Sequence, residues 1–281
     1  MHLMGWLVRI FRAAFSMAVV ASAAALVTAV APVSAASAAA AGATAVHYVA
    51  LGDSYSSGVG AGSYISSSGS CERSTKAYPE QWAAATSPAS FVSVACSGAG
   101  TSDVINSQVS ALSTSTTLVS ITIGGNDAGF ASVMETCVLL PTSSCLSAVS
   151  AAEKFVTTQL PARLEATLQA IRSHAPYAKI VVLGYPDLYD LSKSSSCIGL
   201  STSDRTALNG GANDLDSALS AAASANYDTY VDVRSQFAGH ELCDSASWLN
   251  SVDIFAISSS YHPTAAGQEL GYLPVFTAAV R

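Results

Sequence analysis

Apolar residues recur along this chain in short runs that stop at glycine, separated by longer stretches of helical periodicity. The first run, Tyr48–Leu51, ends at Gly52, and Phe91–Ala95 is a second strand candidate. Leu118–Ile123 stops at Gly124-Gly125, Lys179–Leu183 stops at Gly184, and Tyr230–Val233 is the last run. Between them, Tyr78–Ala85 reads as a helix with Pro79 in its first turn, a position proline favours. Thr101 or Ser102 can cap a helix whose Val104, Ile105, Val109 and Leu112 form one stripe. Ala151–His174 reads as one long helical segment kinked at Pro161, Ser203–Asn226 as a helix interrupted at Gly210-Gly211, and Pro263–Val275 as a closing helix. Strands alternating with helices predict an α/β domain with a parallel sheet covered on both faces. The strands are short runs containing β-branched residues, as expected when both faces are buried.

Composition adds a compartment. Half the residues are hydrophobic and only 11% are charged. Arg9 and Arg12 precede a long uncharged stretch that ends in small residues, Val33-Ser34-Ala35 and Ala36-Ser37-Ala38. This order is that of a secretory signal peptide and leader over residues 1–38, followed by one domain over 39–281. An uncleaved membrane anchor is the alternative, although Pro32 and the Ser/Ala run spoil the end of a spanning helix. Removal of the leader leaves ten basic against nineteen acidic residues, a surface unsuited to nucleic acid. All six cysteines, Cys71, Cys96, Cys137, Cys145, Cys197 and Cys243, lie beyond the leader. An even count in an exported chain implies disulfides, with fifteen pairings open. No C-x-x-C pair and no histidine at ligand spacing suggests a metal.

Ligands of such sheets gather beyond the carboxyl ends of the strands, and three strand ends here carry unusual residues. Gly52-Asp53-Ser54-Tyr55 follows the first strand, Cys96-Ser97-Gly98 the second and Gly124-Gly125-Asn126-Asp127 the third. A serine lifted out of the sheet by a glycine turn can attack a carbonyl carbon if a base stands beside it. His262, followed by Pro263, is the candidate base: a proline at the first helical position would make it the N-cap, where the positive helix end disfavours imidazolium. Gly98, in a small-residue turn, and Asn126, after two glycines, are candidate donors to an oxyanion. Each residue alone has an ordinary reading as a turn or a cap; it is the combination that points to one site.

Ala50-Leu51-Gly52-Asp53-Ser54-Tyr55-Ser56, then Gly98, then Ile123-Gly124-Gly125-Asn126-Asp127, then His262-Pro263 resemble, in order and spacing, the four blocks of the SGNH, or GDSL-type, hydrolases. The similarity spans the exported part of the chain and is greatest to secreted bacterial lipases and phospholipases A. It implies a flavodoxin-like three-layer sandwich with strand order 2-1-3-4-5. It also implies Ser54 as nucleophile, His262 as base, and an oxyanion hole of the Ser54 and Gly98 N–H groups with the Asn126 side chain. Disulfides carried over by order would be Cys71–Cys96, Cys137–Cys145 and Cys197–Cys243. One position departs from the family: where many members have aspartate three residues before the histidine, this chain has Ser259. The expectation is then a Ser–His dyad oriented by the main-chain carbonyl of Ser259 or Ser260, with Asp253 as the alternative, more distant acid.

The implied activity is cleavage of carboxylic esters of lipids through an acyl-enzyme, without a cofactor, by a secreted monomer that touches lipid surfaces transiently. A carbohydrate deacetylase on the same fold is the second reading, and a secreted binding protein without turnover the third. Val138, Leu139 and Leu140 read as core rather than as substrate contacts.

Overall fold

The computed structural model describes residues 45–193, 197–253 and 257–281. The expected signal peptide and leader lie outside them. The first strand, β1 (His47–Gly52), leads into a single helical turn, α1 (Ser54–Ser57). Then follow α2 (Tyr78–Thr86), β2 (Ser90–Ser93), α3 (Thr101–Asn106) and β3 (Leu118–Thr122). The helices α4 (Phe130–Leu139), α5 (Thr142–Thr158) and α6 (Leu160–His174) precede β4 (Lys179–Leu183). The chain ends with α7 (Thr202–Ala225), β5 (Thr229–Val231), the short α8 (Arg234–Phe237), a π-helical turn over Gly267–Tyr272 and α9 (Leu273–Ala279).

The five strands pair in parallel in the order β2-β1-β3-β4-β5, the flavodoxin-like arrangement that the resemblance implies. The chain moves one way from β1 to β2 and the other way from β3 onward. The crevice between the ends of β1 and β3 is therefore the switch point where such sheets hold ligands. Alternation along β1 divides the core. Tyr48 sends its ring to one face, where it meets Trp82 of α2 and Phe276 of α9 at 5.3 and 5.5 Å. On the other side, α3, α6 and α7 pack in succession and α4 and α5 join them. Leu160, Leu164, Leu168 and Ile171 of α6 are all buried there. Their i, i+4, i+8, i+11 spacing keeps them on one helical face.

Several elements differ from the sequence reading, each for a physical reason. The cap of α3 is Gly100, not Thr101 or Ser102, with Asp103 reaching back to the Gly100 N–H at 2.8 Å. Pro161 does not kink one helix but starts a second, α6, in its first turn, where its missing N–H costs nothing. Gly210-Gly211 does not interrupt α7; the paired glycines face α5, where a Cβ on Gly211 would stand 3.7 Å from Val149. Val138, Leu139 and Leu140 are not core: they end α4 and are 38%, 69% and 54% exposed. The cysteines form three pairs, Cys71–Cys96, Cys137–Cys145 and Cys197–Cys243. The second joins the end of α4 to the start of α5, and such a cross-link stabilises chiefly by restricting the unfolded chain.

Candidate active site

Gly52, at the end of β1, has φ +118, and a Cβ there would lie 2.3 Å from the carbonyl oxygen of Thr122. Only glycine lets the chain turn so tightly against β3. Gln108 holds this corner from below, accepting from the Gly52 N–H at 2.7 Å and donating to its carbonyl at 2.9 Å. Asp53 then caps α1. Its Oδ1 accepts from the Tyr55 N–H at 3.0 Å and from the Thr122 hydroxyl at 2.6 Å, and Oδ2 accepts from the Tyr185 hydroxyl. The carboxyl is fully buried, and burial raises its pKa to about 6 against the pull of these donors. Its neighbour, Ser54, is thereby set at the first position of α1 with its side chain directed away from that network.

His262 comes from the other end of the chain. Its Nε2 lies 2.7 Å from Ser54 Oγ, across 208 residues of sequence. Its Nδ1 lies 3.0 Å from the carbonyl oxygen of Ser260. A carbonyl can only accept, so Nδ1 carries the proton. Nε2 is then the unprotonated nitrogen and accepts from the Ser54 hydroxyl. Ser259 contributes differently: its carbonyl accepts from the His262 main-chain N–H at 3.2 Å. Asp253 meets this turn through its own N–H, which donates to Ser260 Oγ at 2.9 Å.

The helix-cap expectation for His262 does not hold. Pro263 bridges to Leu249 in a short antiparallel contact, and helical structure begins only at residue 265. What keeps the ring neutral is packing, with Tyr55 at 5.2 Å and Phe130 at 6.4 Å between ring centroids. Burial lowers its pKa from 6.5 to about 4, opposed by the hydrogen bond to Ser260.

The candidate oxyanion donors are linked to one another. Asn126 Nδ2 donates to the carbonyl of Ala99 at 3.0 Å, which uses one of its two N–H bonds and orients the other. Among the described residues, the N–H groups of Ser54 and Gly98 have no protein acceptor. Gly98 has φ +79 and lines an adjoining groove with Cys71, Cys96 and Ala99. The Cys71–Cys96 disulfide and the Ser97 N–H to Cys71 carbonyl bond, 3.1 Å, brace its turn. Asp127, the last residue of the Gly-Gly-Asn-Asp run, turns away from the site to accept from the N–H and hydroxyl of Thr101 at 2.8 and 2.6 Å.

Ser54 and Asn126 stand at the head of an apolar cleft between α4, α5 and α7. Its walls include Phe130, Val133, Val149, Val156, Leu208 and Leu215. Their positions repeat at helical spacing, so each helix gives one inner face to the cleft. Ala152, Gly211 and Ala212 are too small to fill it, so Gly211 helps leave the cleft open within a continuous helix. Residues with no visible motif complete the site: Tyr185, Thr122, Gln108 and Asn250. They are polar groups that acquire meaning only from the partner they meet across the fold, and no local pattern marks them.

A serine hydroxyl on an imidazole nitrogen at a sheet switch point, beside amide groups and an apolar cleft, is an arrangement suited to carboxylic ester hydrolysis. The family model for GDSL-like lipases and acylhydrolases matches residues 50–270. Lipase 1 of Streptomyces coelicolor is 57% identical over 232 residues, 83% of this chain and 86% of that protein. The crystal structure of phospholipase A1 from Streptomyces albidoflavus superposes with a TM-score of 0.82 at 56% identity, over 84% of this chain and 99% of that one. The extracellular lipase from Streptomyces rimosus does so with a TM-score of 0.81 at 52% identity, over 84% and 100%. The chain belongs to the GDSL-like lipase/acylhydrolase family.

Proposed function

We propose that this enzyme cleaves carboxylic esters of lipids through an acyl-enzyme on Ser54, with His262 as the base. The observation that carries the reading is the 2.7 Å contact between Ser54 Oγ and the unprotonated Nε2 of His262, at the head of an apolar cleft. As Oγ bonds to the ester carbonyl carbon, its proton passes to Nε2. The carbonyl π electrons move to oxygen, which is met by the Ser54 N–H, the Gly98 N–H and the free N–H of Asn126. Collapse of this intermediate breaks the bond to the leaving alcohol, which takes the proton from Nε2. A water activated by the same nitrogen then releases the acid. The Ser260 carbonyl holds the ring through both half-reactions.

The apolar walls favour an acyl chain in the cleft over the acetyl group of a carbohydrate. The exposed residues Val138, Leu139 and Leu140 lie at the far end of α4, whose Phe130 and Val133 line the cleft. No charged residue occurs between Glu135 and Glu153. This uncharged apolar corner is suited to brief contact with a lipid surface. The two solved Streptomyces relatives are a phospholipase A1 and an extracellular lipase, which supports lipid esters as substrates and export of this chain. Residues 1–38 would then be the removed leader, and 39–281 a single secreted, monomeric domain.

The test is hydrolysis of p-nitrophenyl esters of increasing chain length, with phosphatidylcholine and a triacylglycerol in parallel. Ser54→Ala should abolish turnover of every substrate. Preference for acetylated sugars over medium and long acyl chains would overturn the lipid reading, and turnover that survives Ser54→Ala would overturn the nucleophile.

A further inference from the structure

The bond between His262 Nδ1 and the Ser260 carbonyl depends on how one peptide group is oriented. Residues Ser259 to His262 form a turn closed by the His262 N–H on the Ser259 carbonyl, and its third residue, Tyr261, has φ +65. Positive φ at the third position is the mark of a type II turn, which turns the central peptide over relative to type I and ordinarily requires glycine or asparagine there. A buried tyrosine in that conformation persists only where its surroundings hold it.

The holding groups are visible. The turned-over peptide presents the Ser260 carbonyl to His262 at 3.0 Å, and its other end, the Tyr261 N–H, donates to the Asn250 carbonyl at 2.8 Å. The next carbonyl, that of Tyr261, accepts from the Tyr55 hydroxyl at 2.7 Å. Asn250 is itself tied down, since Nδ2 donates to the carbonyls of Gly60 at 3.1 Å and His262 at 2.9 Å. Gly60 permits this approach: a Cβ there would lie 2.6 Å from Asn250 Nδ2 and 2.9 Å from His262 Cβ. Tyr55 adjoins Ser54, and Gly60 lies in the same loop. Both anchors therefore fasten the histidine turn to the segment that carries the nucleophile.

We propose that Tyr55 and Asn250 are positioning residues that keep the Ser260–Tyr261 peptide turned over, and so keep His262 in the Nδ1–H tautomer with Nε2 open to Ser54. This rests on the Ser54–His262 reading above. A carboxylate beside a histidine selects the tautomer by its own charge. A neutral carbonyl does so only while its peptide plane is held, which gives these two residues a task that a triad leaves to its acid.

Tyr55→Phe removes one oxygen and keeps the ring. Two quantities are measured on it and on the parent: kcat and KM for a short, soluble p-nitrophenyl ester, and the ring ¹⁵N signals of His262 near neutral pH, assigned by their absence in His262→Gln. The expected result is a kcat at least about tenfold lower with KM within about twofold, together with His262 shifted toward the Nε2–H form; a wholly wrong tautomer costs nearer 10⁴. A kcat within twofold of the parent overturns the proposal. So does a lowered kcat with the Nδ1–H form intact, since that is what general loosening of the fold would give. If Tyr55→Phe does not fold, Asn250→Ala is judged by the same two readouts. The nitrogen signals are recorded on the resting protein, so they decide the clamp separately from ester hydrolysis. Failure of the parent to turn over any ester would instead sink the hydrolase reading.

Discussion

The carboxyl of Asp53 and the hydroxyl of Tyr185 meet in a buried hydrogen bond that joins the end of β1 to the end of β4. Asp53 precedes Ser54, yet its carboxyl bonds Thr122 and Tyr185 and not His262. Its folded pKa of about 6 lies above the ordinary 3.8, so the folded chain takes up this proton more readily than the unfolded chain. The contribution of Asp53 to stability therefore grows as pH falls from about 7 toward 4. Asp53→Asn should remove that gain. Urea unfolding at both pH values should show the variant losing ground to the parent on acidification, by on the order of 3 kcal/mol. An unchanged difference would mean that the carboxyl is not desolvated.

His262 titrates in the opposite sense. Its ring is held neutral, with a pKa of about 4 against an ordinary 6.5. The acid limb of kcat/KM reports the essential base in the free enzyme. For a neutral, soluble ester that limb should have its midpoint well below pH 6.5, leaving most activity at pH 5.5. A midpoint at or above 6.5 would contradict the packed environment of the ring.

Asn126 Nδ2 has one N–H on the Ala99 carbonyl, and the second is the proposed oxyanion donor. Asn126→Ala should lower kcat by roughly 10²–10³ with little change in KM, the usual cost of one oxyanion donor. A loss carried mainly by KM would assign the side chain to ground-state binding instead.

Gly52→Ala places a methyl group 2.3 Å from the Thr122 carbonyl oxygen at φ +118. Steric and backbone strain together should destabilise the protein by roughly 3–5 kcal/mol in denaturant titration. A loss under about 1 kcal/mol would show that β1 and β3 can separate at this corner without cost.

The exposed end of α4 can be tested apart from the chemistry. Leu139→Ser combined with Leu140→Ser should weaken binding to phosphatidylcholine vesicles by about tenfold or more, since each buried leucine is worth some 1.5–3 kcal/mol. Rates on a soluble short-chain ester should not move. Equal vesicle binding by parent and variant would remove this corner from any lipid contact.

The repeating pattern of apolar runs and glycine stops made the alternation of strands and helices legible, and Lys179–Leu183 is the β4 strand residue for residue. Helix boundaries were less legible where one residue type serves two purposes. Pro161 can kink a helix or begin one, and Gly210-Gly211 can break a helix or make room beside it; the neighbouring helix decides, and it is far away in sequence. The apolar run Val138–Leu140 looked like core because hydrophobicity does not say which face of a corner meets solvent. Ser54, Gly98, Asn126 and His262 stood out as candidates because each follows a strand end or precedes a proline in a recognisable local setting.

The order of the elements, the type of sheet and the residues worth suspecting are properties of short stretches, and backbone preference and side-chain periodicity write them into the chain directly. The 2.7 Å between a serine and a histidine 208 residues apart, the contact of His262 Nδ1 with the Ser260 carbonyl, and the hydrogen bonds of Tyr55 and Asn250 to the histidine turn are not local properties. They exist only once packing has brought distant loops together, because hydrogen-bond geometry is decided within tenths of an ångström and no stretch of sequence carries that information about another.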